Sequence, residues 1–169
     1  MDKQKARTEK AGRVTGILDV GIIAIAHFEN PAQGEAFGFL SRILREGERC
    51  LIPLTTFLGA YHVMTEYLGV RRTQAERALR KTLETRSRNF YGDVAREYVL
   101  DALSCASDYK IESWDGYLIS LAQKFEAPVI YTVDEEIDSE IETVEAVNPI
   151  RPEVYSEYKE WLRERLEKS

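Results

Sequence analysis

Features that would assign the chain to a specialised class are scarce. The 169 residues include only two cysteines, Cys50 and Cys105, and no CxxC pair, so neither a disulfide framework nor a cysteine zinc site is indicated. No stretch approaches the ~18 apolar residues that a membrane span needs, and the first residues, MDKQKARTEKAGR, are polar and mixed in charge. We therefore expect a cytoplasmic protein without a membrane segment, in which both thiols are reduced and buried.

An excess of positive charge is also lacking. The formal net charge of −6 argues against a protein that coats nucleic acid through bulk electrostatics. The charge is uneven, however, because the segment from Val70 to Phe90 is rich in arginine and lysine. This segment is either a basic face that binds nucleic acid or only a solvated helix surface. The candidate binding residues on this face are Arg71, Arg72, Arg77, Arg80 and Lys81.

Short apolar segments alternate with amphipathic ones along the chain. TGILDV, RCLIP, PVIYTV and VEAV are typical of strands, and the segments between them have helical periodicity. This alternation predicts an α/β fold, a three-layer α/β/α sandwich with a small, mainly parallel central sheet. We expect a polar tail over residues 1–15, one domain over 16–150 and a C-terminal helix over 151–169.

Three of the predicted helices have boundaries set by sequence signals. One begins with Thr55 or Thr56 as its N-cap and ends at Gly69. The other two extend roughly from Thr73 to Arg88 and from Asp93 to Tyr109. The C-terminal helix places five apolar residues on one face, which either packs on its own domain or forms a dimer contact. We also expect a homodimer. These five residues are Val154, Tyr158, Trp161, Leu162 and Leu166.

Three separated aspartates are expected to meet at one edge of the sheet. Asp19 ends the first strand, Asp134 ends the PVIYTV strand, and Asp115 lies in the first turn of the helix that leads into that strand. Ligands of open parallel sheets bind at the carboxyl ends of the strands. Singly, Asp19 could be only a helix cap and Asp115 only a partner of the helix dipole. Together, the three carboxylates suit Mg²⁺ or Mn²⁺, which prefer oxygen ligands.

This arrangement resembles the PIN-domain family. The resemblance lies in ILDVGII, SWDGYLISLA, IYTVDEEI and the closing VEAVNP, and it covers roughly Gly16 to Ile150. It implies a small α/β/α ribonuclease that uses Mg²⁺ or Mn²⁺, with Asp19, Asp115 and Asp134 as catalytic and metal-binding residues. It also implies RNA as substrate and, for many members, a small antitoxin protein as partner.

One position departs from the family pattern. The family usually has a glutamate on the helix after the second strand, where this chain has Gly59. Glu66 lies two turns further along, or ~10 Å, and His62 is one turn away. Either the site works with fewer acids, or a neighbour such as Glu135 compensates, or catalysis is impaired.

The expected chemistry is hydrolysis of an RNA phosphodiester without a covalent intermediate. Thr132, close to Asp134 in sequence, could hydrogen-bond a ligand carboxylate or a water. One alternative is a catalytically impaired PIN-like module that binds RNA or protein. A second is a phosphotransferase with Asp19 as nucleophile, but the second acid that such enzymes need two residues later is Gly21 here. No glycine-rich phosphate loop is present either.

Overall fold

The computed structural model describes residues 12–45, 47–134, 137 and 143–167. These residues form five strands and seven α-helices. The strands are β1 (Gly16–Leu18), β2 (Cys50–Pro53), β3 (Phe90–Tyr91), β4 (Val129–Tyr131) and β5 (Glu145–Val147). The helices are α1 (Val20–Ala26), α2 (Gln33–Leu44), α3 (Thr55–His62), α4 (Arg72–Leu83), α5 (Arg96–Tyr109), α6 (Ser113–Lys124) and α7 (Pro152–Glu167).

The strands form one sheet in the order β3-β2-β1-β4-β5, and every neighbouring pair is parallel. All their carboxyl ends therefore lie at the same edge, which we call the carboxyl edge. The sequence predicted four strands, so β3 is an addition. It is only two residues long and is positioned by Asn89, whose carbonyl accepts the Ile52 N–H at 2.8 Å and whose side chain is fully buried.

Helices cover both faces of the sheet, which confirms the predicted three-layer α/β/α architecture. Consecutive strand residues point to opposite faces. Leu18 and Ile52 join a core with α1, α2, α3, α4 and α7. Ile17 and Leu51 join a second core with α5 and α6. Both cysteines are free and buried, as expected, one in each core.

Helix ends differ from the predicted ones where tertiary contacts intervene. The N-cap of α3 is Leu54, and no side chain caps this helix, because the Thr56 hydroxyl donates instead to the Pro53 carbonyl. After His62 the chain continues as a π-helical turn over Val63–Tyr67. Helix α4 ends at Leu83 rather than Arg88, because the chain must turn there to enter β3.

The C-terminal helix α7 packs on its own domain, in agreement with the first of the two interpretations. Tyr158 is buried, and the Trp161 ring contacts Phe28 with centroids 6.0 Å apart. Arg151, just before α7, forms an ion pair with Glu35 on α2. Among the residues that the structure describes, no helix has the length and apolar character to cross a membrane.

Candidate functional site

Asp19 lies at the carboxyl edge, between the end of β1 and the start of α1. Its Oδ1 accepts the Val20 N–H at 2.5 Å, so Asp19 is the N-cap of α1. Its Oδ2 accepts the Thr132 hydroxyl at 2.6 Å. Only 6% of Asp19 is exposed. The helix cap that the sequence allowed is therefore present, and the other oxygen of the same carboxylate links β1 to the end of β4.

The segment after β4 brings Asp134 to the same place. The Thr132 Oγ that donates to Asp19 also accepts the Asp134 N–H at 2.9 Å. The Thr132 N–H donates to the Val147 carbonyl at 3.0 Å, which ties the segment to β5. Thr132 thus bridges the two aspartates, and its hydroxyl bonds the carboxylate of a candidate ligand, which is one of the two contacts that the sequence suggested.

Two residues outside the predicted site hold the 132–134 segment in place. The hydroxyl of Tyr155, on α7, donates to the Val133 carbonyl at 3.1 Å. Gly21, on α1, lies so close to Val133 that a Cβ there would be 2.6 Å from its Cγ2. Neither contact has a sequence signal, because a tyrosine on an amphipathic helix and a glycine near a strand end are both ordinary.

Burial makes the charged form of Asp19 costly. Desolvation is the largest cause of its raised pKa, and the nearby Asp134 carboxylate acts in the same direction. The hydrogen bonds that Asp19 accepts from Thr132 and Val20 oppose this rise in pKa, and so does the nearby indole N–H of Trp114. A buried carboxylate with a second one beside it is an arrangement that a bound cation would stabilise.

Helix α6 begins at the carboxyl edge, because it leads directly into β4, which starts at the opposite edge. Trp114 lies close enough to Asp19 to lower its pKa, although its indole N–H makes no hydrogen bond of ordinary geometry with a described residue. Asp115 follows it in the first turn of α6 and is buried. The structure therefore places Asp115 at the same edge as Asp19 and Asp134.

The donor set can be compared with the needs of a divalent cation. Within the described residues, no three His, Cys, Asp or Glu side chains are grouped closely enough to hold a metal alone. Mg²⁺ commonly takes one or two carboxylates and completes its octahedron with waters or phosphate oxygens. Asp19 and Asp134 are two carboxylate residues at this edge of the sheet. Glu135, which we considered as a compensating ligand, lies outside the described residues.

Gly59 faces the residue next to Asp19. A Cβ at this position would lie 2.8 Å from Val20 Cγ2 and 3.3 Å from its Cγ1. Glycine therefore allows α3 to approach the first turn of α1 closely. The two nearby residues that the sequence offered in its place have other partners. Glu66, on the π-helical turn, is paired with Arg72 at 2.9 Å, and the exposed His62 packs edge to face on Tyr67.

The predicted basic face lies away from these aspartates. Its helix α4 is joined to α1 through Thr82, whose Oγ is 2.7 Å from Nε2 of the buried His27. His27 is the C-cap of α1, whereas Asp19 is its N-cap, so the two lie about 12 Å apart along this helix. All five candidate residues are exposed, and a groove of about 960 Å³ runs beside Lys81. These residues are Arg71, Arg72, Arg77, Arg80 and Lys81.

No protein-family profile and no curated protein sequence matches the chain. Several solved structures have a similar fold, including the following two. A chain of a toxin-antitoxin complex from Klebsiella pneumoniae is 18% identical, with a TM-score of 0.54, over 80% of this chain and 98% of that one. The Mycobacterium tuberculosis toxin VapC20, which cleaves the sarcin-ricin loop, is 13% identical, with a TM-score of 0.53, over 73% and 92%. Both similarities support the PIN-like fold predicted from the sequence.

Proposed function

We propose that the protein is a metal-dependent ribonuclease of the PIN-domain type. The observation that carries this proposal is the buried Asp19 carboxylate at the carboxyl edge, joined to the Asp134 backbone through Thr132. Asp115 at the same edge is the third candidate ligand. Bound Mg²⁺ or Mn²⁺ would supply an activated water and neutralise charge on the scissile phosphate.

The chain's own residues have separate tasks in this proposal. Asp19 and Asp134, with Asp115 as the third candidate, would hold the cation. The Thr132 hydroxyl donates a hydrogen bond to Asp19 Oδ2. This bond fixes the orientation of the Asp19 carboxylate whether or not a cation is bound. Burial raises the pKa of Asp19 and so favours its protonated form. A protonated Asp19 would have to release its proton to bind a cation.

The proposed substrate is RNA, and the proposed partner is a small antitoxin protein. VapC20 is a toxin that cleaves the sarcin-ricin loop, and the other similar chain comes from a toxin-antitoxin complex. The exposed arginines of α4 are the proposed contacts for RNA phosphates outside the acidic centre. A homodimer in the cytoplasm remains our expectation for the assembled protein.

A catalytically impaired RNA- or protein-binding module is the second candidate. Gly59 favours this candidate, because a side chain at this position would collide with Val20. An acidic residue at position 59 would therefore require Val20 to move. A protein of this kind would bind Mn²⁺ weakly or not at all and would leave RNA uncut.

Cleavage of a labelled single-stranded RNA by purified protein distinguishes these functions. We expect cleavage with Mn²⁺, none with EDTA, and a loss of at least a hundredfold in Asp19→Asn, Asp115→Asn and Asp134→Asn, since each removes a charged ligand. Asp108→Asn makes the same change at an exposed position on α5 and should retain full activity. Activity that survives in Asp19→Asn would rule out the proposed site.

The antitoxin is tested separately. A neighbouring reading frame that encodes a small DNA-binding protein, and whose product abolishes cleavage when the two are purified together, would support this partner. A product that binds without inhibiting would contradict the proposed role.

A further inference from the structure

Four buried side-chain polar atoms of the described residues make no hydrogen bond of ordinary geometry, and they gather in one region. They are Thr55 Oγ1, Tyr91 OH, Trp114 Nε1 and Tyr117 OH. The Trp114 and Tyr117 rings are 5.7 Å apart. Burial raises the pKa of Tyr117, and the nearby Thr55 hydroxyl opposes that shift. Trp114 Nε1 approaches Asp19, and the Thr55 hydroxyl approaches that of Tyr117, in both cases without ordinary hydrogen-bond geometry. Because buried polar groups nearly always have well-formed partners, this region is one where a ligand or water is expected.

Three of these four residues line a pocket of about 200 Å³. Thr55, Trp114 and Tyr117 line it on the inside, and Val94, Val99 and Leu103 line it toward solvent. The three aliphatic side chains are all exposed large hydrophobic residues. The pocket therefore combines apolar walls and aromatic rings with a few inward polar groups, which is the usual composition of a small-molecule site.

The pocket is an extension of the candidate active site along the carboxyl edge. Thr55 is the first residue of α3, just after β2, and Val94 follows β3. Trp114 lines the pocket and also approaches Asp19. A ligand that binds here is therefore adjacent to the proposed metal site and lies over β2 and β3.

The chemistry of the pocket favours a neutral heterocycle over a phosphate. None of the described residues that line it is basic. Asp93 lies near enough to raise the pKa of Tyr91 and Tyr117 after the larger effect of burial, so the local field is negative. The volume is below that of pockets for drug-sized ligands, which limits the occupant to a single ring system.

We propose that this pocket binds one unstacked nucleobase of the RNA, next to the phosphodiester that is cut at Asp19. The choice of RNA rests on the proposed ribonuclease function. Proteins that read single-stranded RNA stack splayed bases on aromatic side chains and hydrogen-bond their edges. Trp114 supplies a ring, whereas the Thr55 and Tyr117 hydroxyls both donate and accept. The pocket would give the enzyme a preference for the base at one position beside the cut.

Binding can be tested without metal, so that the result does not depend on catalysis. The probe is a fluorescein-labelled single-stranded decaribonucleotide in EDTA, and a matched series in which one abasic ribose is moved along the strand. We expect one abasic position to weaken binding about tenfold, the scale of one base stacked on an aromatic side chain. Equal binding of all abasic strands would overturn the proposal.

Two matched substitutions on α5 test the location. Leu103 lines the pocket and is 53% exposed, whereas Leu100 is 55% exposed and lies outside the pocket lining. Leu103→Trp should fill the entrance and remove the tenfold difference, and Leu100→Trp should retain it. Tyr117→Phe keeps the ring and deletes only the hydroxyl, and it should reduce the difference between strands. Identical behaviour of the two tryptophan variants would overturn the proposal.

Other outcomes separate this proposal from the proposed function. Base-dependent binding that Leu103→Trp abolishes, in a protein that cuts no RNA with Mn²⁺, supports the pocket and refutes the nuclease. Cleavage whose sequence preference is unchanged in Leu103→Trp supports the nuclease and refutes the pocket. The exposed α5 face could instead contact a second copy. A wild-type dimer that both Leu100→Trp and Leu103→Trp convert to monomer would assign the face to that contact and refute the pocket.

Discussion

The substitution Gly59→Ala tests whether this glycine is required for packing. A Cβ at Gly59 would be 2.8 Å from Val20 Cγ2, closer than real Cβ contacts, so Val20 must shift. Gly38, inside α2, has no atom within 4 Å of the corresponding Cβ. The same change at Gly38 therefore serves as a control in which only helix propensity differs.

The magnitudes follow from two opposing effects. Alanine in place of glycine inside a helix stabilises by about 1 kcal/mol, and this gain should appear in full for Gly38→Ala. Inserting a methyl group into a closely packed site costs about 1–3 kcal/mol. Gly59→Ala should therefore range from neutral to about 2 kcal/mol destabilising. The two variants should differ by about 1–3 kcal/mol in the free energy of unfolding.

Urea denaturation measures this difference, and a double mutant identifies its cause. Val20→Ala removes both methyl groups that oppose a Cβ at Gly59 and costs about 2 kcal/mol on its own. Gly59→Ala in that background should be stabilising, as it is at Gly38. If Gly59→Ala stabilises the wild-type protein as much as Gly38→Ala does, then α3 does not approach α1 closely at Gly59, and the packing argument is refuted.

The same contact determines how a restored acid should behave. Gly59→Glu alone must displace Val20, the residue whose N–H is bound by Asp19. Gly59→Glu in the Val20→Ala background has the space that the wild type lacks. If this position faces the metal site, the double mutant should show a larger Mn²⁺-induced rise in Tm than Val20→Ala alone. An equal rise would mean that a side chain at this position does not reach the site.

Three further substitutions have expected outcomes. Gly116→Ala should cost about 3 kcal/mol in urea denaturation, because its Cβ would meet the α5 backbone, which cannot move aside as a side chain can; a neutral result would contradict the helix contact. The pKa of Asp19 is raised in the folded protein, mainly by burial. The Asp19 carboxyl therefore favours folding most at pH values below its pKa in the unfolded chain, and this contribution is lost as the pH rises through its pKa in the folded protein. Asp19→Asn should therefore raise the urea midpoint at pH 7.5, with a smaller gain at pH 4.5; a gain that does not depend on pH would refute the charge argument. Tyr155→Phe leaves the Val133 carbonyl unpaired and should cost about 1 kcal/mol and reduce the Mn²⁺-induced rise in Tm. Tyr158→Phe, the same change at a buried position on the same helix, should leave that rise unaltered.

The parts of the site that follow from strand ends could be predicted from the sequence. Asp19 and Asp134 each come directly after an apolar run, and parallel strands bring their carboxyl ends to one edge. Asp115 was placed there by the length of the helix and its return into β4. These inferences need only the order of elements, which periodicity reveals.

Features that depend on which surfaces touch could not be predicted. β3 consists of two residues, too few for any periodic pattern, and is defined by its pairing with β2. The basic residues of α4 were recognised by charge, but charge does not reveal that the helix packs at the far end of α1. At Gly59 the family pattern shows a missing acid, whereas the structure shows a contact with Val20.

The hydrogen bond from Tyr155 to the Val133 carbonyl has a consequence for the order in which the proposed site would form during translation. Domains fold as they emerge from the ribosome, and Asp19 emerges early. A nascent chain with Asp134 already outside, but α7 still inside, lacks one of the contacts that hold the 132–134 segment. A ribonuclease built in this way would complete its centre only after synthesis has passed α7, which would protect its own message and the ribosome that translates it until then.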